Sequence, residues 1–225
     1  MKIKELKLPA LQVALDFTSL NRAIEVLSRI SDLDIGIVEV GTPLIKSEGA
    51  RSISRVRELA GGKPVLADTK TVDVGALEAE IAIRAGADFL TAIASADDAV
   101  IESAARAAWE LGGDLVVDFI GFRGDVLSRA RELSEVGISS VNIHVGIDVQ
   151  RSLGLTATDM RILVKRLSAE LSGLVISVSG GIKPEDIPQL IDAGAQIVVV
   201  GGAITRSPDP REAAVKCLKA LKSIR

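Results

Sequence analysis

A chain of 225 residues, 48% apolar and 25% charged, is long enough for one large core and ordinary enough in composition to be globular. A net charge of −3 and an aromatic content of 2%, with one Trp and no Tyr, exclude the basic field and the stacking platforms of a nucleic-acid binder. One cysteine excludes an intrachain disulfide and most cysteine-based zinc sites; with no leader-like segment and no apolar run of about 18 residues, a soluble cytoplasmic protein off the membrane is expected.

Eight short β-rich runs follow along the chain: Leu11–Asp16, Ile35–Gly41, Pro64–Lys70, Phe89–Ile93, Leu115–Ile120, Ser140–Val145, Val175–Gly180 and Ile197–Gly201. Their starts lie about 22 to 35 residues apart, room for one crossover helix each. Most are continuously apolar, as parallel strands buried on both faces should be. Amphipathic segments at Asn21–Ile30, Ala76–Ala85, Asp97–Leu111, Val126–Val136 and Thr158–Leu171 predict helices between them, and Asp209–Ile224 predicts the last. Gly86 and Gly194 read as helix ends, each followed directly by a strand. Cys217 shares an apolar helical spacing with Ala214, Leu218 and Leu221, which predicts a core thiol. Eight β/α units in this length predict an α/β fold, a single (β/α)8 TIM barrel spanning residues 1–225. An open doubly wound sheet would carry a glycine-rich turn after its first strand, where this chain reads Leu15-Asp16-Phe17-Thr18.

Barrels of this kind do their chemistry at the C-terminal ends of the strands. Here those ends carry Asp16, Glu39, Asp68 with Lys70, Asp118, His144, Ser179 and the pair Gly201-Gly202. The third strand ends in D-x-K-x-x-D, formed by Asp68, Lys70 and Asp73, and face alternation predicts that Asp68 and Lys70 point the same way. Taken alone, that stretch suits a rim salt-bridge network as well as an active site. Acids at four strand ends, joined by the only histidine, favour the active site; an imidazole of ordinary pKa about 6.5 suits proton transfer. Gly180-Gly181 and Gly201-Gly202, after the seventh and eighth strands, predict backbone amides that meet a phosphate, with Arg206 as a candidate clamp.

Together, Leu11–Asp16, Glu39–Ile45, Ala67–Asp73, His144–Gln150, Val178–Ile182 and Val200–Thr205 resemble the orotidine 5′-monophosphate decarboxylase suprafamily over nearly the whole chain. Within it they are most similar to the 3-hexulose-6-phosphate synthases. The nucleotide decarboxylases carry a lysine at the position of Glu39 and use no metal, whereas the metal-dependent branch has a glutamate there. Keto-gulonate 6-phosphate decarboxylases typically carry an arginine at the position of Ile147 and a glutamate at that of Asp118. The loop Gly121–Asp125 and residue Arg151 depart from the synthase pattern, which leaves open what Arg123 and Arg151 do to substrate choice.

The resemblance implies a reversible aldol condensation of formaldehyde with D-ribulose 5-phosphate through a cis-enediolate. It implies magnesium held by Glu39 and Asp68, Lys70 donating to the enediolate, Asp16 and Asp73 keeping Lys70 charged and oriented, and His144 moving the proton at C1. Asp118, Ser179, Gly180, Gly181, Gly201, Gly202 and Arg206 would bind the sugar phosphate. A homodimer with shared sites is implied too, with Asp73 reaching into the neighbour's site. The alternatives are a decarboxylase acting on a keto-sugar acid phosphate through the same enediolate, and a barrel that binds a sugar phosphate without catalysis.

Overall fold

The computed structural model describes residues 1–223, so Ile224, at the end of the last predicted helix, lies outside the described residues. Eight parallel strands close into a barrel in sequence order: β1 (Ala10–Leu15), β2 (Ile37–Val40), β3 (Val65–Thr71), β4 (Phe89–Ile93), β5 (Asp114–Asp118), β6 (Ser140–His144), β7 (Val175–Ser179) and β8 (Ile197–Val200). Closure is direct: Ala10 of β1 pairs with Ile197 of β8, and Val13 with Val200. The fold is the TIM barrel the sequence predicts.

The helices are α1 (Leu20–Ile30), α2 (Thr42–Glu48), α3 (Arg51–Leu59), α4 (Gly75–Arg84), α5 (Asp98–Glu110), α6 (Val126–Glu135), α7 (Ile147–Leu153), α8 (Arg161–Glu170), α9 (Ile187–Asp192), α10 (Gly202–Thr205) and α11 (Pro210–Lys222). Those read from the sequence correspond to α1, α4, α5, α6, α8 and α11. Three of them start where an aspartate accepts first-turn amides: Asp97 from Ala99, Asp125 from Ser128, and Asp209 from Arg211 and Glu212. The predicted start of the fifth, Thr158, falls in a 3₁₀ turn over Ala157–Met160 that leads into α8. The fifth strand stops at Asp118, short of the expected Ile120, because the Ile120 N–H leaves the ladder to bond the Asp118 carboxylate at 2.9 Å.

Side-chain alternation divides the interior into two cores. Leu11, Val13 and Leu15 of β1 face outward and pack with the helices, where Cys217 and Ala214 of α11 are also buried. Burial pushes the Cys217 thiol up to about 11, so it is an inert packing group. Ala10 and Ala14 of β1 face inward with Ile37, Leu66, Phe89, Val116 and Ile197. Phe89 fills the lower barrel and Ile3, from a short 3₁₀ turn (Ile3–Glu5), closes its floor. The Ile3 N–H bonds the buried Asp114 carboxylate at 3.0 Å, and the other oxygen of that carboxylate takes the Trp109 indole at 2.8 Å. The lower end is thus packed shut. Among the described residues, no helix is long and apolar enough to cross a membrane.

Candidate active site

The upper end of the barrel opens into a cavity of about 590 Å³ that reaches down to Gln12, Leu66 and Ile3. Every site residue expected from the sequence lines it except Asp73. Asp73 is exposed on the loop leaving β3, where its carboxylate accepts the Val74 N–H at 2.7 Å.

Asp68 and Lys70 share the mouth, but not by regular alternation. Between the pairs Ala67↔Leu90 and Thr71↔Ala92, β3 takes four steps while β4 takes two. The two extra residues form a bulge, the usual device for re-aiming a side chain. Inside it Lys70 has φ +50°, a left-handed backbone uncommon for a residue with a Cβ. Its N–H bonds Thr91 Oγ1 at 2.9 Å.

The Lys70 ammonium sits 2.9 Å from an Asp68 oxygen and 2.9 Å from Asp118 Oδ2. The turned backbone carries the ammonium across β4 to β5. Asp16 makes no hydrogen bond to Lys70 but faces it as an opposite charge, and Asp73 lies on the exit loop, away from the Lys70 of its own chain. Burial works to lower the Lys70 pKa, but the Asp68 and Asp118 carboxylates outweigh it and raise it, so Lys70 stays a cation.

Asp118 is 1% exposed and fully engaged. Its Oδ2 meets His144 Nδ1 at 2.9 Å as well as Lys70, and its Oδ1 takes the Ile120 amide. Burial alone would raise its pKa; the His144 and Lys70 contacts override that and hold it at about 2. Among the described residues His144 Nε2 has no hydrogen-bond partner, and the imidazole lines the cavity.

On the opposite wall, Glu39 is buried and accepts the Gln12 amide at 2.6 Å. Burial first, then the Asp68 and Asp16 carboxylates, push its pKa well above the carboxylate range. Asp16 is pushed up by the surrounding walls and by Asp68, though its carboxylate opens onto the mouth. Gly41 makes its space: a Cβ there would lie 2.2 Å from Asp16 Oδ1. Asp68 is flanked by hydroxyls: Thr91 donates to Oδ1 at 2.8 Å, and Thr42 shares its one proton between Oδ2 at 2.8 Å and the Asp68 carbonyl at 2.7 Å. Among the described residues, no three His, Cys, Asp or Glu side chains form a metal cage. An all-oxygen pair, Glu39 and Asp68 on adjacent strands, with Glu39 destabilised as an anion, suits a hard divalent ion that keeps several of its waters.

The rim over β7 and β8 is built for a different group. Gly180 has φ +117°, and a Cβ there would lie 2.3 Å from the Val145 carbonyl. Glycine is what that turn admits. Arg206 lies across Gly202, where a Cβ would be 3.3 Å from its Nε, and among the described residues the guanidinium has no acidic partner within salt-bridge reach. Ser179 lies deeper, its hydroxyl paired with Asn142 at 2.9 Å. Neither Arg123 nor Arg151 lines the cavity; Arg151 turns to Asp148 at 3.7 Å.

Sequence reasoning missed Gln12, Thr42, Thr91 and Lys183, all of which line the cavity. Gln12 had a readable signal, an amide at an inward position of an apolar strand. Lys183 had one in its place just past Gly180-Gly181-Ile182. The threonines had none, since Thr is ordinary both in strands and before Pro.

With the geometry in hand, comparison with known proteins is informative. The family described as Orotidine 5′-phosphate decarboxylase / HUMPS matches residues 9–217. A 3-hexulose-6-phosphate synthase of Mycobacterium gastri is 40% identical over 211 residues, covering 94% of this chain and 99% of that protein. The solved 3-hexulose-6-phosphate synthase of Salmonella typhimurium superposes with a TM-score of 0.89 at 35% identity, covering 96% of this chain and 100% of that one. A 3-keto-L-gulonate-6-phosphate decarboxylase from Vibrio cholerae gives 0.85 at 28% identity over 97% of this chain and 100% of that one. The chain belongs to the orotidine 5′-phosphate decarboxylase/HUMPS family.

Proposed function

We propose that the chain acts as a 3-hexulose-6-phosphate synthase, an aldehyde-lyase that condenses formaldehyde with D-ribulose 5-phosphate in a reversible aldol reaction. The observation that carries this reading is the unbroken run of charge contacts from His144 through Asp118 and Lys70 to Asp68, facing Glu39. It agrees with full-length synthase relatives at 32% to 40% identity, above the 28% of the Vibrio cholerae decarboxylase.

In this reading the glycine loops and Arg206 hold the distal phosphate, with Lys183 as a second cation at the rim. That grip orients a small flexible sugar so that its carbonyl end lies among the acids. Magnesium held by Glu39 and Asp68 would supply Lewis-acid stabilisation of the charge developing on the ketose oxygens. His144 donates its Nδ1–H to Asp118, which leaves the Nε2 lone pair free to take the C1 proton. Lys70, kept cationic by Asp68 and Asp118, donates a hydrogen bond to the enediolate oxygen. The C1 electron pair then forms a bond to the formaldehyde carbon, the carbonyl π bond opens, and the new alkoxide recovers the proton from His144. The product is D-arabino-hex-3-ulose 6-phosphate.

A homodimer with shared sites belongs to the same proposal. Asp73 does not reach its own Lys70, and Val72, Val74, Leu77 and Ile81 beside it are each about half exposed, at 48% to 57%. An apolar strip of that kind suits a second copy of the chain, which would bring Asp73 into the neighbour's site.

One assay tests the activity. Purified protein, ribulose 5-phosphate, formaldehyde and magnesium are combined, and formaldehyde loss is followed. Loss that depends on all components supports the synthase; no loss overturns it. Loss that persists after thorough chelation removes the metal from the mechanism.

A further inference from the structure

We infer that Thr91 is a positioning residue for this reaction, its one hydroxyl setting both the Asp68 carboxylate and the backbone of Lys70. Thr91 stands in the middle of β4, 4% exposed, and lines the cavity. Its Oγ1 donates to Asp68 Oδ1 at 2.8 Å and accepts the Lys70 N–H at 2.9 Å. A backbone N–H only donates and an ionised carboxylate only accepts, so both directions are fixed and the one hydroxyl proton goes to Asp68. The Thr91 carbonyl takes a third bond, from Thr69 Oγ1 at 2.7 Å. Three consecutive residues of the β3 bulge, Asp68, Thr69 and Lys70, are therefore laced to one residue of β4.

The lacing has a function because the bulge is strained. A left-handed backbone at a lysine persists only where its surroundings over-determine it. The register shift removes Lys70 N–H from the ladder, and a buried amide without a partner is unfavourable. The Thr91 hydroxyl supplies the missing acceptor. By the same contact it fixes Asp68 Oδ1, which also lies 3.1 Å from the Lys70 ammonium. Thr42 Oγ1 places its one proton between the other carboxylate oxygen, at 2.8 Å, and the Asp68 carbonyl, at 2.7 Å, so Thr91 makes the one undivided hydroxyl bond to the Asp68 carboxylate.

This inference rests on the enediolate chemistry proposed above, and the experiment separates the two. Exchange of the C1 proton of ribulose 5-phosphate into D₂O is followed by NMR without formaldehyde, for the wild type, Thr91→Val and Thr91→Ser. Magnesium affinity is measured by calorimetry without substrate, and thermal melts confirm folding. Valine keeps the size and β-branching but loses both hydroxyl bonds; serine keeps both bonds and loses only a methyl group. Thr91→Val is expected to lower the exchange kcat about 10- to 100-fold, the usual range for an orienting partner, with KM little changed and magnesium bound more weakly. Thr91→Ser is expected to stay within a few-fold of the wild type. Should valine fail to fold, Thr91→Ala takes its place. Wild-type exchange in the valine variant overturns the inference. So does a serine variant as slow as valine, because packing rather than the hydroxyl would then be the cause. A wild type that exchanges the C1 proton but consumes no formaldehyde overturns the synthase reading while the comparison of Thr91 variants still stands.

Discussion

Asp118 Oδ2 and His144 Nδ1 lie 2.9 Å apart, and the same oxygen receives the Lys70 ammonium. One carboxylate thus orients the candidate base and anchors the candidate oxyanion donor. Asp118→Asn keeps the shape but removes the negative charge, and its single carbonyl oxygen cannot serve both the Lys70–His144 side and the Ile120 amide. Its kcat should fall about 10²-fold or more, and His144→Gln should lose about 10²- to 10⁴-fold, the span of a general acid–base group. Steady-state formaldehyde consumption measures both.

Asp118 also predicts an acid limb of stability. Its folded pKa is depressed, from an ordinary 3.8 to about 2. The stabilisation is therefore present above about pH 4 and lost as pH falls through about 2, and it amounts to about 2 kcal/mol. Urea unfolding of the wild type and Asp118→Asn between pH 2 and 5 should show their difference shrinking as the medium becomes more acid. A difference that stays constant with pH would contradict the assignment.

Glu39 behaves in the opposite sense. Its folded pKa is raised by burial, Asp68 and Asp16, so its contribution favours folding at low pH and is lost as pH rises past the ordinary glutamate range. Metal-free Glu39→Gln should be at least as stable as the wild type near neutral pH. Added magnesium should raise the melting temperature of the wild type and leave that of Glu39→Gln unchanged, because only a ligand with affinity for the native state shifts it.

At the rim, Arg206→Ala should raise KM for ribulose 5-phosphate about 10- to 100-fold with a smaller effect on kcat, as loss of a charge-assisted contact to a non-reacting group does. Preference for the phosphorylated ketose over free ribulose should narrow in step. Kinetics with the two substrates read both effects.

Subunit mixing tests the shared site. Asp73→Ala and Lys70→Ala chains should each be inactive alone, and after subunit exchange should recover part of the activity through mixed dimers holding one intact site. Leu77→Glu on the exposed strip should shift the protein toward monomer in analytical ultracentrifugation. Confirmed exchange without recovery counts against a borrowed Asp73.

The barrel was legible because its strands are buried on both faces and so read as unbroken apolar runs, against which Asp16, Glu39, Asp68, Asp118 and His144 stand out. The hidden part is local geometry. Alternation correctly places Asp68 and Lys70 in one mouth, yet the cause is a bulge and a left-handed lysine, and a register shift leaves no mark in composition. Helix α7 went unread because none of its residues is buried, so it has no apolar stripe. Asp118, which shares the Lys70 ammonium with Asp68, lies 48 positions away, and no local pattern links them.

The Lys70–Asp118 ion pair joins the two halves of the chain, since β4 and the loop at Gly112-Gly113 lie between them in sequence. A chain cut at that loop would leave Asp16, Glu39, Asp68 and Lys70 on one fragment and Asp118, His144 and the glycine loops after β7 and β8 on the other. Each fragment would hold charges whose counter-charges lie on its mate, so reassociation would be rewarded electrostatically as well as by strand pairing. Activity regained on mixing two such fragments would report ring closure itself.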